Sequence, residues 1–327
     1  MPPVPVIVRH RPGRRRHGAA SALLALLAAL AGTGAAAAQA TLKLATWNLE
    51  WFLTPATFNE LKGACTRNDR AHRWQPRSIP CDVAATLERS AIDIGAMARI
   101  ARVLNADLVA LEEVDGAAAA GQVFHGYDFC FTGGRTVQNT GFAIRRGLPH
   151  RCGPDLLELS LGDELRRGAT LVLYPGSARE LHLLAVHLKS GCARGSLSSR
   201  NHACGRLARQ APALHDWLAA ERRAGHRYAV LGDFNRDLLH ERGEGLWERI
   251  GADTNEARLF NTAAGGFFRN CYAGQIHTGY IDYILLGDSL APTLVPGSFE
   301  RWVYAPTAAW RLKLSDHCPV AVRLRLD

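Results

Sequence analysis

Three features are missing from this chain of 327 residues, and each absence argues against a class of protein. The most apolar run, from Ala19 to Ala31, falls short of the roughly 20 residues that a membrane-spanning helix needs. No Cys-x-x-Cys pair is present, so a zinc module of that type is not indicated. No internal repeat or disordered linker follows residue 40, which favours one large domain.

The first forty residues resemble a removable signal peptide. They contain five arginines, at positions 9, 11 and 14–16, and no acidic residue, and the apolar run is followed by Ala38-Gln39-Ala40, a small-residue cleavage site. A signal anchor and twin-arginine export stay open. We therefore expect a leader over residues 1–40, a domain over residues 41–327 and a periplasmic or extracellular protein. Of 39 basic residues 34 remain after cleavage, against 30 acidic ones, so the net charge falls from +9 to +4. This mild excess is compatible with a polyanionic substrate.

All eight cysteines lie after residue 40, and an even number in an exported chain favours disulfides. The sequence leaves the pairing open. The two polar excursions between Cys65 and Cys81 and between Cys192 and Cys204 favour those pairs, since each has few apolar residues to hold it.

Hydrophobic periodicity predicts an α/β chain. A long surface loop is expected over residues 54–82. Helices are predicted at Leu87–Leu104, Arg206–Arg222 and Leu238–Ile250, and strands from Leu42 and at Asp107–Leu111, Gly141–Arg145, Ala169–Leu173, Leu181–His187, Tyr228–Leu231 and Tyr280–Leu286.

The predicted strands end in polar residues that a hydrophobic core does not need. Tyr228–Leu231 runs into a glycine and then Asp233 and Asn235, a carboxylate and an amide suited to handling a water molecule and a phosphoryl oxygen. The same pattern recurs elsewhere, with Asn48, Glu50, Glu113, His187, Asp282, Asp316 and His317. Each has a structural explanation alone, as a turn former or a satisfied core histidine, but together they predict one sheet edge that carries chemistry.

The order of these motifs resembles the endonuclease/exonuclease/phosphatase superfamily, the deoxyribonuclease I-like fold. They are Thr-Trp-Asn-Leu-Glu at 46–50, Leu-Glu-Glu-Val at 111–114, Ala-Val-His-Leu at 185–188, Gly-Asp-Phe-Asn at 232–235, Ile-Asp-Tyr-Ile at 281–284 and Ser-Asp-His at 315–317. The resemblance implies a four-layer α/β sandwich, in which two packed mixed β-sheets are flanked by helices and the site lies at one end.

Residue roles follow from the resemblance by position. Glu113 matches the principal magnesium ligand, and Asn48 and Asp316 match residues that line the metal region, whereas Glu50 falls where members vary. The pair Asp233 and Asn235 matches the residues that orient the attacking water. His317, supported by Asp282, matches the phosphate-contacting histidine, and His187 matches a second histidine. Glu112 is expected to be a bystander. The cofactor implied is Mg²⁺ or Mn²⁺, because hard oxygen ligands suit these ions; Ca²⁺ bound elsewhere stays open.

The substrate expected is nucleic acid, mainly DNA with RNA left open, cleaved with little sequence preference. Arg194, Arg200 and Arg206, in or just after the second cysteine-bounded excursion, are predicted to contact phosphates. An alternative is a phosphodiesterase or phosphatase acting on a lipid head group or small phosphoester, like a sphingomyelinase, for which Phe267-Phe268 is a faint membrane-docking candidate. An inactive binding protein on the same scaffold is a third. No stable membrane association and no protein partner are implied.

Overall fold

The structure is a computed structural model that describes residues 7–10, 41–66, 77–241, 244–265, 268, 270–272 and 279–326. The predicted leader lies outside these ranges except for a short strand, Ile7–His10, which pairs antiparallel with residues 301–304 at a sheet edge. The leader and the domain boundary at residue 41 thus stay predictions. If the leader is cleaved, this strand leaves the sheet.

Within the described residues the chain forms β-strands that assemble into two sheets. In chain order these are β1 (Ile7–His10), β2 (Thr41–Phe52), β3 (Leu108–Val114), β4 (Tyr127–Phe131), β5 (Asn139–Arg145), β6 (His150–Cys152), β7 (Ala169–Leu173), β8 (Leu181–His187), β9 (Tyr228–Asp233), β10 (Leu259–Asn261), β11 (Asp282–Gly287), β12 (Glu300–Tyr304) and β13 (Val320–Arg325). The first sheet has the order β1-β12-β13-β2-β3-β5-β4, and the second β10-β11-β9-β8-β7-β6.

Each sheet is mixed and is built around one parallel pair. In the first sheet this pair is β2 and β3, and in the second it is β8 and β9, whereas the other neighbours are antiparallel. Parallel strands end at the same sheet edge, so each pair delivers two strand ends there. The antiparallel neighbours β11 and β13 start at that edge.

The described helices are α1 (Pro55–Lys62), α2 (Cys81–Thr86), α3 (Ala91–Leu104), α4 (Ala117–Ala120), α5 (His202–Arg223), α6 (Leu246–Arg249) and α7 (Pro306–Arg311), with 3₁₀ turns at Leu157–Ser160 and Ala291–Thr293. Alternate residues of β2 face opposite sides. Leu42 and Leu44 join the core between the sheets, and Ala45 and Trp47 join the core that contains Met97 of α3. Helix α5 covers the outer face of the second sheet, which completes the predicted four-layer α/β sandwich.

Several element predictions were wrong at their ends or in kind. The helix predicted from Arg206 begins at His202, where Asn201 is the N-cap. The predicted loop at 54–82 begins with helix α1, for which Thr54 is the N-cap and Pro55 lies in the first turn. Helix α3 starts at Ala91 rather than Leu87, because Ser90 and Asp93 form a capping box.

The predicted helix at Leu238–Ile250 is reduced to the single turn α6. Glu241 precedes α6, and its side chain accepts hydrogen bonds from the backbone N–H groups of Leu246 and Trp247, each at 2.8 Å. It also pairs with buried Arg236. These local side-chain contacts replace the hydrogen bonds that a longer helix would make.

Both expected disulfides, Cys65–Cys81 and Cys192–Cys204, are present, together with Cys130–Cys152 and Cys271–Cys318. Each closes a loop and restricts the unfolded chain. Among the described residues, no helix combines the length and the apolar character needed to cross a membrane.

Candidate active site

The predicted polar residues meet at one edge of the sandwich. Asn48 ends the regular part of β2, and His187 and Asp233 end β8 and β9, where they are paired in register. Asp282 begins β11 opposite Asp233. The structure therefore brings together groups from both parallel pairs, as predicted from the strand ends.

A glycine and a backbone bulge shape this edge. A side chain at Gly232, where φ is +140°, would place its Cβ 2.0 Å from the Val186 carbonyl oxygen, so only glycine lets β9 approach β8 here. On β3 the pairing shifts after Leu111, and Glu113 adopts a positive φ of 61°. This bulge turns the Glu113 side chain toward the site, whereas strict alternation would have pointed Glu112 inward and Glu113 outward.

Four predicted metal-region residues lie together. The Asn48 side-chain amide donates to Glu113 Oε1 at 3.3 Å and to Asp233 Oδ2 at 3.1 Å, and its oxygen accepts from the Glu50 backbone N–H at 2.9 Å. Glu50 Oε2 accepts from the Asp316 backbone N–H at 3.2 Å. Asn48 therefore acts in this arrangement as a bridge between two carboxylates.

The carboxylates of this group fit a divalent cation. Burial, and then the neighbouring Asp316 carboxylate, raise the pKa of Glu50 to about 8, although Arg89 opposes the shift. The same two causes raise the pKa of Glu113. Carboxylates that are buried close together repel one another when ionised, and a bound cation would compensate that charge. Their hard oxygen donors suit Mg²⁺ or Mn²⁺.

Asp233 and Asn235 form the side-by-side pair that the sequence predicts. The Asn235 amide donates to Asp233 Oδ2 at 3.0 Å and to the Leu188 carbonyl at 3.1 Å, and the Asn235 backbone N–H donates to Asp233 Oδ1 at 2.7 Å. Burial raises the pKa of Asp233 to about 7, against the opposing charge of His317. A carboxylate of this pKa is suited to general base catalysis near neutral pH.

His317 and Asp282 form a buried pair. His317 Nδ1 lies 2.9 and 3.0 Å from the two Asp282 carboxylate oxygens. Its Nε2 is 3.8 Å from Asp233 Oδ2. Burial opposes a charge on the ring, but the carboxylates of Asp282, Asp316 and Asp233 outweigh it and raise the pKa of His317 well above its usual value. His317 is therefore an imidazolium at neutral pH.

The loop that carries His317 is fixed to β2. Ser315 Oγ donates to the Asn48 carbonyl at 2.6 Å and accepts from the His317 backbone N–H at 3.0 Å. The His317 carbonyl accepts from Trp47 Nε1 at 3.2 Å. The serine of the Ser-Asp-His motif thus has a structural role.

His187 differs from His317 in its protonation. Its Nε2 lies 3.5 Å from Asp233 Oδ2 and 3.6 Å from Glu113 Oε1. Burial, followed by the positive charges of Arg166 and His317, lowers the pKa of His187 well below its usual value. Two histidines whose pKa values move in opposite directions define one cationic donor and one neutral imidazole.

Six of these residues line an open cleft with a volume of about 1010 Å³, namely Glu113, His187, Asp233, Asn235, Asp316 and His317, whereas Asn48, Glu50 and Asp282 lie behind them. Basic side chains contribute to its walls, namely Arg135, Arg166, Arg167, Lys189 and Arg206. Of the predicted phosphate contacts, Arg206 lies in this wall and pairs with Glu164 at 2.6 Å. Arg194 pairs instead with Asp237 at 2.7 Å, and neither it nor the exposed Arg200 is among the residues that line the cleft.

Sequence reasoning missed Arg166 and Arg89. Arg166 is buried beside the site, where its guanidinium donates to the Leu188 carbonyl at 2.7 Å and interacts with the charges of Glu113 and Asp233. Arg89 donates to the Glu50 carbonyl at 2.7 Å. Arg166 belongs to an arginine pair before a predicted strand, and Arg89 lies near the start of the helix predicted from Leu87, where an arginine is usually solvated.

Solved structures share this architecture at low sequence identity. The human Nocturnin catalytic domain aligns with a TM-score of 0.51 at 13% identity, covering 86% of this chain and 93% of that one. An AP endonuclease from Leishmania major gives 0.55 at 18% identity, covering 87% and 88%. A 3′ phosphatase from Neisseria, bound to a product DNA hairpin, gives 0.52 at 16% identity, covering 86% and 99%. These likenesses establish the fold, which is deoxyribonuclease I-like.

This fold, with polar residues gathered at one sheet edge, is typical of hydrolases that act on phosphoester bonds. The profile of the Endonuclease/Exonuclease/phosphatase family matches residues 45–317, and the chain belongs to that family. A search of curated protein sequences finds no match. The resemblance read from the sequence motifs is thereby confirmed.

Proposed function

We propose that this protein is an exported, divalent-metal-dependent phosphodiester hydrolase and that it acts as a nuclease of low sequence preference on DNA, and on RNA where the strand fits. The observation that carries the proposal is the convergence of Glu113, Asp233 and His317 on the floor of a basic-walled cleft. A phosphodiester is anionic, so its hydrolysis needs cationic groups, an oriented water and an acid near the leaving oxygen.

The ion would be held by Glu113, with Asp316, Glu50 and Asn48 around it, and Mg²⁺ or Mn²⁺ is the cofactor proposed. When bound, it would neutralise charge on the phosphoryl group. Ca²⁺ at a separate place has no local motif to support it.

The residues of the chain supply the remaining chemistry. Asp233, held in place by the Asn235 amide, accepts a proton from the attacking water. His317, kept charged by Asp282, donates from Nε2 to a phosphoryl or leaving oxygen. His187 stays neutral beside Asp233 and orders the same region, and Arg166 adds a fixed positive charge.

Nucleic acid is favoured over a small phosphoester by the wall of the cleft. Arg135, Lys189 and Arg206 extend the positive charge beyond the reacting centre, as contact with neighbouring phosphates requires. Arg194 and Arg200 would act only as more distant contacts. The lipid alternative has weaker support, because Phe268 packs against Tyr280 and Arg301, and Phe267 lies outside the described residues. Four disulfides support export.

One assay tests the proposal. The purified protein is incubated with supercoiled plasmid, single-stranded RNA, sphingomyelin and a chromogenic phosphodiester, with Mg²⁺ or with a chelator. We expect plasmid nicking that needs Mg²⁺ and that falls at least about 10²-fold in His317→Ala. His215→Ala, a change at a histidine on α5 outside the cleft, is the matched control and should retain wild-type activity.

Each other result has a definite meaning. Cleavage of sphingomyelin with intact plasmid would replace the nuclease by the lipid-directed enzyme. Absence of hydrolysis of every substrate, with tight DNA binding, would favour the inactive binding protein. Full activity in His317→Ala would disprove the site itself.

A further inference from the structure

A second cluster of potential metal ligands lies at the far end of β8 from the cleft. Glu180, His182 and His226 each offer one ligand atom, and these atoms lie within 4.8 Å of one another. His182 and His187 are five positions apart on the same strand, which separates them by about 16 Å. The cluster is therefore independent of the catalytic edge.

A fourth residue, Glu221 at the end of α5, orients both histidines. Its Oε2 lies 2.8 Å from His182 Nδ1 and 2.7 Å from His226 Nδ1. The two rings are stacked, with centroids 3.8 Å apart and planes inclined by 27°. Because one carboxylate accepts from both Nδ1–H groups, both rings are held with Nδ1 protonated and Nε2 on the side away from Glu221.

The contact between His182 and Glu180 places a ring nitrogen beside a carboxylate oxygen. His182 Nε2 lies 2.9 Å from Glu180 Oε1. If Nδ1 carries the ring proton, Nε2 of a neutral ring presents a lone pair, and two acceptors would face each other. A metal ion held by Nε2 and by the Glu180 carboxylate would give both acceptors a partner.

We propose that Glu180, His182 and His226 bind a borderline transition-metal ion, of which Zn²⁺ is the best match, and that Glu221 is the carboxylate that orients the two histidines. Two imidazole nitrogens and one carboxylate oxygen form a recognised zinc ligand set, with water as a fourth ligand. Imidazole disfavours Mg²⁺ and Ca²⁺, so this site differs in chemistry from the catalytic edge.

The position of the cluster gives the ion a structural role. Its ligands come from the start of β8 and from the turn between α5 and β9, and Glu221 belongs to α5. His182 and Glu221 are 15% exposed and Glu180 is 31% exposed at the side chain, so an ion and its water can enter. A bound ion would join three segments at the end of the second sheet and stabilise the folded chain.

Zinc stoichiometry and thermal stability test the proposal on the purified full protein. Equilibrium dialysis against Zn²⁺ in excess Mg²⁺, followed by elemental analysis, should give one more zinc per chain in the wild type than in the His182→Gln, His226→Gln double variant. Saturating Zn²⁺ should raise the Tm of the wild type by more than it raises the Tm of the double variant, which lacks this site. The control is His215→Ala, since His215 contacts Asp216 and Glu256, each at 3.4 Å, outside the cluster.

Two further variants keep the test decisive if the double variant does not fold. Glu180→Gln keeps the shape of a partly exposed side chain, and Glu221→Gln weakens the orientation of the rings. Each should lower zinc affinity at least about tenfold. Equal zinc stoichiometry in the wild type and the double variant, or unchanged affinity in both glutamate variants, would overturn the proposal in favour of a bridging proton.

Discussion

Two adjacent glutamates, Glu112 and Glu113, occupy different environments. Glu112 is fully buried between the sheets, where Thr46 Oγ1 donates to it at 2.9 Å. Burial, and then the charges of Asp282 and Asp233, raise its pKa well above the usual value, which favours the neutral acid. Glu113 points toward the cleft because of its positive φ. The bystander prediction for Glu112 is thus compatible with an acid that carries no charge.

Parallel Glu→Gln substitutions separate these two environments. Glu112→Gln replaces a neutral acid by a neutral amide, so activity should persist and the free energy of unfolding should change by less than about 1 kcal/mol. Glu113→Gln removes a proposed metal ligand. Loss of a residue that only orients a ligand typically lowers metal affinity by roughly 10- to 100-fold, and we expect a larger loss of Mg²⁺ affinity here. Mg²⁺ titrations of phosphodiesterase activity measure both; equal Mg²⁺ requirements in the two variants would contradict the assignment.

Asp282→Asn tests the charge state of His317. Burial alone would lower the pKa of His317, and Asp282 is the strongest of the carboxylates that raise it. Without that charge the imidazolium loses its proton at lower pH, so the alkaline limb of the pH–kcat profile should move to lower pH. The maximal rate should fall by about 10²- to 10⁴-fold, the usual contribution of general acid–base catalysis. An alkaline limb in its wild-type position would show that His317 is not the titrating acid.

At the scale of elements, Arg89 connects segments that are far apart in sequence. Its guanidinium donates to the carbonyls of Glu50, Lys313 and Leu314 at 2.7, 2.9 and 3.1 Å. It also lies 3.3 Å from Glu50 Oε2. The end of β2 and the loop before β13 are therefore held by one planar group with several donors.

Arg89→Lys should disturb the site without touching the substrate. A lysine keeps the charge but loses the fork, so the loop that carries Asp316 and His317 is held less firmly. A displacement of about 1 Å in a catalytic group can cost on the order of 10²-fold in rate, and we expect kcat to fall toward that value with little change in KM. Arg99→Lys, on the exposed side of α3, is the control. Wild-type kcat in Arg89→Lys would refute this positioning role.

Elements with strong local signals were predictable and those set by tertiary contacts were not. The apolar runs of β7 and β8 have the bounds expected from the sequence. The bulge at Glu113 depends on strands distant in the chain. The Glu241 side chain accepts hydrogen bonds from the backbone five and six residues further on, and periodicity records neither feature. Arg89 and Arg166 were missed because arginine side chains are mostly exposed, and nothing near them in the sequence indicates burial.

At the scale of the whole molecule, the site is a consequence of topology. Two parallel pairs, β2 with β3 and β8 with β9, pack so that their ends meet at one edge, and each end is followed by a polar residue. Their convergence could be predicted, because packing of a core does not require strands to end in acids, amides and imidazoles. The protonation states could not, since they depend on burial and on charges from both sheets.

Those protonation states predict how the stability of the metal-free protein depends on pH. In the folded chain the pKa of Glu50 is raised from 4.5 to about 8 and that of Asp233 from 3.8 to about 7. Between these values the folded state keeps protons that the unfolded state has lost, so the free energy of unfolding falls as pH rises.

Thermal unfolding in a chelator should therefore give a Tm that decreases from about pH 5 to about pH 8. Excess Mg²⁺ displaces these protons and compensates the carboxylates, so it should raise Tm more at the upper end of that window than at the lower end. In Glu113→Gln the Mg²⁺ effect should shrink, because a ligand is missing, while Glu112→Gln should behave like the wild type. A Tm that stays level or rises across the window in chelator would contradict the raised pKa values. A Mg²⁺ effect independent of pH would mean that the carboxylates at this edge do not share a cation.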